Sequence, residues 1–160
     1  MKRGLFFCLV TASIMLAGCG SARNIVTEPT TTIYKTDVIE VTKANSTVQV
    51  PDEFVAYFDK RLRSEVHKSF ANGNKLRLEY RFISFDEGSR FKRYMGGGIG
   101  NWGQGTLLIQ ADFYDENGNK LSSMQTDAVI SGGFFGGSFE SAIDLAVEKM
   151  TEYAIANFKG

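Results

Sequence analysis

Lys75-Leu76-Arg77-Leu78-Glu79-Tyr80-Arg81-Phe82-Ile83-Ser84-Phe85 is the stretch whose pattern decides the fold class. Leu76, Leu78, Tyr80 and Phe82 alternate with Arg77, Glu79 and Arg81. Successive side chains of a strand point to opposite faces, so this is a strand with one buried and one wet face. A second such strand runs from Thr106 to Tyr114, with Leu107, Ile109, Ala111 and Phe113 on one side. Asp115-Glu116-Asn117-Gly118-Asn119 then reads as a hairpin turn, because Asn-Gly accepts positive φ cheaply. The returning strand spans Lys120 to about Ile130, and the three strands make a meander.

Helical periodicity lies on either side of the meander. Upstream, Pro51 suits a first helical position and Asp52 and Glu53 suit the positive helix start. Val55, Phe58, Leu62, Val66 and Phe70 then recur at helical spacing until Asn72-Gly73-Asn74 stops the helix. Before it, Ile39 and Val41 alternate with Val38, Glu40 and Thr42 in a short strand over residues 37–42. Downstream, Phe139, Ala142, Ile143, Ala146, Met150, Tyr153 and Phe158 mark an amphipathic helix reaching the C-terminus. The order β-α-β-β-β-α predicts a single α+β domain: a mostly antiparallel sheet with both helices on one face. The β-α-β crossover makes the first strand parallel to its partner.

The N-terminus carries an address. Met1-Lys2-Arg3-Gly4, the apolar run from Leu5 to Leu16 and the small residues Ala17-Gly18 before Cys19 have the layout of an export signal. The run is shorter than the roughly 20 apolar residues that a spanning helix needs. Leu16-Ala17-Gly18-Cys19 resembles the bacterial lipoprotein lipobox, which implies removal of residues 1–18 and acylation of Cys19. Acyl chains contribute about 0.8 kcal/mol per buried CH₂, which makes a multiply acylated Cys19 a stable membrane anchor. Gly20 and Ser21 stand where an Asp would resemble an inner-membrane retention signal, so the expected location is the outer membrane, with the domain facing the periplasm. Residues 19–36 are small, polar and Thr-rich and read as a flexible tether of up to about 60 Å fully stretched. The folded domain is then 37–160.

Composition narrows the function classes. The 160 residues carry 18 basic and 18 acidic groups, and a zero balance excludes a whole-protein nucleic-acid binder. With 43% hydrophobic and 22% charged residues, the chain is not a disordered one. Signal removal takes Lys2 and Arg3 and leaves a charge of about −2. It also removes Cys8, and acylation consumes Cys19, so no disulfide, redox couple or thiol metal site is expected. No cofactor and no metal are expected.

Glycine is concentrated in 96–105 and in Gly132-Gly133-Phe134-Phe135-Gly136-Gly137. Gly98, Gly100 and Gly103 spell a dinucleotide fingerprint, but the string leads into a strand, whereas that fingerprint must open a helix. The second cluster has phosphate-loop spacing, yet Ser138 stands where that loop requires Lys. Sharp turns and close backbone approach are the favoured reading of both clusters, with free backbone N–H groups at the helix start after the second able to hold an anion as the alternative. Beside the first lies Ser89-Arg90-Phe91-Lys92-Arg93-Tyr94, three cations interleaved with two aromatics. Arg90, Phe91, Lys92, Arg93, Tyr94, Trp102, Phe134 and Phe135 are the candidate interaction surface. Arg90, Lys92 and Arg93 could hold anionic groups of lipid, glycan or protein, while the rings supply contact area. For Phe134 and Phe135, plugging the end of the core is the favoured reading over exposure.

Catalysis finds little support in this sequence. His67 is the single His, placed mid-helix between Val66 and Lys68, without an identifiable nucleophile or metal partner. Asp86 and Glu87 lie near a turn and read as solvated.

From about Pro51 onward the sequence resembles a domain-of-unknown-function family of Gram-negative outer-membrane lipoproteins. The resemblance rests on Leu76-Arg77-Leu78-Glu79-Tyr80, Phe85-Asp86-Glu87-Gly88-Ser89-Arg90, Arg93-Tyr94-Met95-Gly96, the strand and turn from Leu107 to Gly118, and residues 131–137. It implies a small α+β periplasmic domain and brings no catalytic residue. The expectation is a non-enzymatic envelope lipoprotein, held through acyl chains on Cys19 and contacting an envelope protein partner. The alternative is a binding module for lipopolysaccharide, cell-wall glycan or phospholipid headgroups.

Overall fold

The computed structural model describes residues 20–86, 105–130 and 139–160. Its strands are β1 (Gly20–Glu28), β2 (Val38–Lys43), β3 (Ala71–Asn72), β4 (Leu76–Asp86), β5 (Gly105–Tyr114) and β6 (Lys120–Ile130). Its helices are α1 (Asp52–Val66) and α2 (Phe139–Phe158). Among the described residues the strands form one sheet in the order β1-β6-β5-β4-β2-β3, and the fold is α+β. β4, β5 and β6 are the antiparallel meander, while β2 runs parallel to β4 across the α1 crossover.

Alternation sorts the meander into two faces. Leu76, Leu78, Tyr80 and Phe82 of β4 and Leu107, Ile109, Ala111 and Phe113 of β5 are buried under the helices. A bulge in β4 between Phe82 and Ser84 inserts one extra residue. It keeps Phe85 on the apolar side, where its ring meets Phe54 and Phe139. α1 supplies Phe58, Leu62 and Val66, and the Phe58 ring packs on Tyr80 and Phe82 at 4.9 and 5.4 Å between centroids. α2 buries Ala142, Ile143, Ala146, Val147, Met150 and Ala154, and Phe158 stacks against Phe113 at 4.9 Å. Each fully buried large side chain of this kind contributes about 1.5–3 kcal/mol.

The structure departs from the sequence reading in two places. Residues 19–36 are not a flexible tether along their whole length, because Gly20–Glu28 is a nine-residue edge strand paired antiparallel with β6 from Gly20↔Ile130 to Glu28↔Ser123. Its pairing is made by backbone groups. On its helix-facing side stands Asn24, which donates to the Lys149 carbonyl (2.7 Å) and accepts from Thr126 Oγ1 (2.9 Å). An edge strand satisfied in this way needs no apolar alternation. Its outer side holds Arg23, paired with Asp127 at 2.9 Å. The segment before β2 is tied down as well: Thr36 N–H donates to the Phe158 carbonyl, and Gly160 N–H donates to the Thr36 carbonyl. The folded unit therefore does not begin at residue 37 but already includes Gly20–Glu28.

The first helix also ends earlier than its period suggests, at Val66, with His67 at the C-cap. Ala71 and Asn72 then form β3 beside Val38 and Ile39 of β2. Gly73 follows because a Cβ there would lie 2.6 Å from Val38 Cγ1. In the hairpin after β5, Gly118 has φ +84°, and the Asp115 carboxylate accepts from the N–H groups of Asn117 and Asn119.

Candidate functional site

Strand direction gathers the ends of β1, β4, β5 and β6 that matter most. Gly20 pairs with Ile130, Ile130 with Gly105, and Thr106 with Asp86. With strands about 4.8 Å apart, these four chain ends span roughly 15 Å. Both Gly-rich connections attach here: residues 87–104 leave after Asp86 and return at Gly105, and residues 131–138 leave after Ile130 and return at Phe139. Cys19 precedes Gly20 by one residue. Every candidate site residue named from the sequence (Cys19, Arg90, Phe91, Lys92, Arg93, Tyr94, Trp102, Phe134 and Phe135) lies outside the described residues. Glu87 does too.

At this end the core is closed by a ring cluster that sequence reasoning did not single out. Phe54 at the start of α1, Phe85 near the end of β4 and Phe139 at the start of α2 meet with centroids 4.8 to 5.9 Å apart. Each sits at an element's terminus, so no periodicity links them; only the parallel approach of α1 and α2 toward β4 does. Beside them a cleft of about 810 Å³ lies between the 43–52 segment, Val55, Phe82 and Phe85. Ser46 in its lining and the adjacent Thr47 tie the segment to β4. Ser46 Oγ accepts the Phe82 N–H at 3.1 Å, Thr47 Oγ1 donates to the Ile83 carbonyl at 3.1 Å, and Thr47 N–H donates to the Phe82 carbonyl. Lys43 and Asp52 add one charge of each sign to its lining. The cleft could accommodate an apolar group, and among its described lining residues no nucleophile is hydrogen-bonded to a base.

The second candidate is the sheet face that the helices leave uncovered. Asp112 lies there, only 1% exposed. Its carboxylate accepts from Ser123 Oγ (2.7 Å), Gln110 Nε2 (3.1 Å) and Arg81 Nη2 (3.0 Å), and Lys120 Nζ stands 3.4 Å away. Gln110 Nε2 also donates to Ser123 Oγ, and Gln125 Nε2 donates to Gln110 Oε1. Burial by itself would raise the Asp112 pKa. The bonds from Ser123 and Gln110 and the charges of Lys120 and Arg81 outweigh it and hold the group below its ordinary value. A carboxylate with this many donors is ionised and occupied, which makes it a poor proton acceptor for chemistry. The alternation placed Asp112 on the wet face; besides Gln110 two residues before it on β5, its partners come from β4 and β6, and no local motif announces them.

Tyr80 and Asp59, on the helix side of the sheet, are similarly engaged. Tyr80 Oη donates to Asp59 Oδ1 at 2.9 Å and Arg63 Nε donates to Asp59 Oδ2 at 2.8 Å. Burial and the Asp59 carboxylate push the Tyr80 phenol well above its usual range. For Asp59, burial acts upward, but the bonds from Arg63 and Tyr80 prevail and lower its pKa. His67 is at the α1 C-cap and not mid-helix; its Nδ1 lies 3.2 Å from the Phe70 carbonyl, which it can meet as a donor. Among the described residues no group of three or more His, Cys, Asp or Glu side chains could hold a metal ion. No described helix is long and apolar enough to cross a membrane.

The model of a family described as "Domain of unknown function (DUF4410)" matches residues 31–133. That span takes in β2 through β6 and leaves out β1 and α2. No curated protein matches the chain. Among solved structures, the chain is similar to PelC from Paraburkholderia phytofirmans, described as a dodecamer, at 12% identity and a TM-score of 0.49. It is likewise similar to a single-residue variant of that dodecamer at 13% identity and a TM-score of 0.48. Both alignments cover 82% of this chain and 95% of the other.

Proposed function

We propose that this chain, which belongs to the family described as Domain of unknown function (DUF4410), is a non-enzymatic lipoprotein of the Gram-negative outer membrane. In this reading Cys19 carries the acyl chains, the domain faces the periplasm, and it acts as an interaction or assembly factor for an envelope protein. The observation that carries the proposal is Leu16-Ala17-Gly18-Cys19, placed after a basic start and a short apolar run. The non-enzymatic part is supported by the state of the buried carboxylate: Asp112 has its lone pairs engaged by Ser123, Gln110 and Arg81. The working surface is assigned to the Gly-rich connections, because both attach to the same end of the sheet.

Two measurements test this. Intact mass of the mature protein should begin at Cys19 and include acyl chains; an acylated Cys19→Ser protein would overturn the anchor. Photoreactive residues placed at Phe91 and Phe134 in cells should crosslink one specific protein, and the absence of any specific adduct at both would sink the interaction surface.

A second reading is favoured by Arg90, Lys92 and Arg93, three cations within four residues of a chain with no net basic excess. Here the surface binds an anionic envelope ligand. It predicts salt-sensitive binding of purified lipopolysaccharide that is lost when the three cations are replaced by Gln. Binding that ignores salt, or no binding, rejects it.

A further inference from the structure

The position of β1 fixes more than the fold, and the inference drawn from it rests on the proposed acylation of Cys19. Were residues 19–36 a free tether, the domain could sit tens of ångströms from the membrane in any orientation. Instead Gly20, one residue after Cys19, is already in the sheet, in register with Ile130. Consecutive Cα atoms are about 3.8 Å apart, so acyl chains on Cys19 would enter the bilayer directly beside this end of the sheet.

We propose that the sheet end formed by Gly20, Asp86, Gly105 and Ile130 is a membrane-apposed surface facing the phospholipid bilayer into which Cys19 inserts, so that the protein contact proposed for the Gly-rich connections is made at the membrane surface. Three features of the described chain support it. The four chain ends lie within roughly 15 Å of one another, a footprint a domain can rest on. The core at this end is closed by the rings of Phe54, Phe85 and Phe139. The remote end, with the turn at 115–119 and Lys75 beside it through its ion pair with Glu116, is about 30 Å away along the ten residues of β5. The described side chains near the apposed end include Asp52, Glu53, Asp86 and Glu140. Carboxylates in this position disfavour deep burial among lipid tails and place the end at the headgroup level. The remote end is thereby presented to the periplasmic space.

The thiol count makes the test clean, because signal removal and acylation leave no free cysteine in the mature chain. Single cysteines replace exposed Ser84 or half-buried Thr106 near the apposed end, and exposed Asn117 or Lys75 at the remote end. Each is labelled with bimane in the full-length acylated protein. The protein is then reconstituted into phosphatidylethanolamine and phosphatidylglycerol vesicles containing a phosphatidylcholine with a nitroxide headgroup, a short-range quencher.

Ser84→Cys and Thr106→Cys should lose most of their fluorescence, while Asn117→Cys and Lys75→Cys lose almost none. Equal quenching at the two ends, stronger quenching at the remote end, or none at either would overturn the orientation. Acyl mass is read on the same samples. A protein without it overturns the anchor and this inference together, whereas an acylated protein with the wrong quenching pattern overturns the orientation alone.

Discussion

The two faces of the central strands obey one alternation and solve two different physical problems. On the helix side Leu78, Tyr80, Ile109 and Phe113 lose water and gain packing, and each such contact stabilises in proportion to the apolar area it removes. On the other side, Asp112 is equally inaccessible although no described helix covers it. Arg81, Gln110, Ser123 and Lys120 surround it and bond or pair with it together, so it stays buried by having both carboxylate oxygens engaged instead of by being apolar. A face that looks wet in sequence can therefore contain a group as sensitive to substitution as a core residue.

That contrast is open to direct attack, starting with the strongest expected effect. Phe58→Ala removes a ring packed on both Tyr80 and Phe82 and should lower unfolding free energy by about 3–5 kcal/mol in a urea titration, a large share of a domain's total. A loss no larger than that of a surface substitution would refute the account of the apolar face. Asp112→Ala comes next, at about 2–3 kcal/mol, because it strands the buried donors of Gln110 and Ser123. If it were neutral, the polar face would be ordinary surface.

The acid limb supplies a third test. Asp112 and Asp59 both have folded pKa values lowered below their unfolded ones, so their contribution is complete above the unfolded carboxylate pKa of about 3.9. It is lost as pH falls through the folded values. Thermal midpoints should drop on acidification below pH about 4, and Asp112→Asn should flatten that drop; an unchanged slope would count against the ionised network. The smallest effect belongs to Arg81→Ala. The Arg81 side chain is 35% exposed, and water screens and replaces much of its bond, so the expected cost is below about 1 kcal/mol. A cost matching that of Asp112→Ala would mean that the ion pair, and not the Ser123 and Gln110 bonds, carries the stability.

A third region separates what could be read from what could not. β4, β5 and α2 were legible because each presents an apolar period, a property of the residues themselves, and β6 because the Asn117-Gly118 turn returns the chain beside β5. β1 was not. Its small and polar residues, with only Ile25 and Val26 as large apolar ones, match a linker, and its place in the sheet depends on β6 offering a free edge about a hundred residues later in the chain. The surface candidates were found through composition alone, Arg90 to Tyr94 by charge and rings, Phe134 and Phe135 by their glycine flanks. Sequence could name those residues but could not say that their connections attach side by side.

By itself the sequence determined the α+β class, the meander, both helices, the apolar face and the lipobox-like tetrad at Cys19, since these follow from local periodicity and short-range chemistry. Tertiary structure alone decided that Gly20 is already in the sheet, that Asp112 is buried, and that both Gly-rich connections attach at the sheet end where Gly20 lies. These are consequences of strand register: backbone hydrogen bonds between segments far apart in sequence leave no mark on either segment until both are in place.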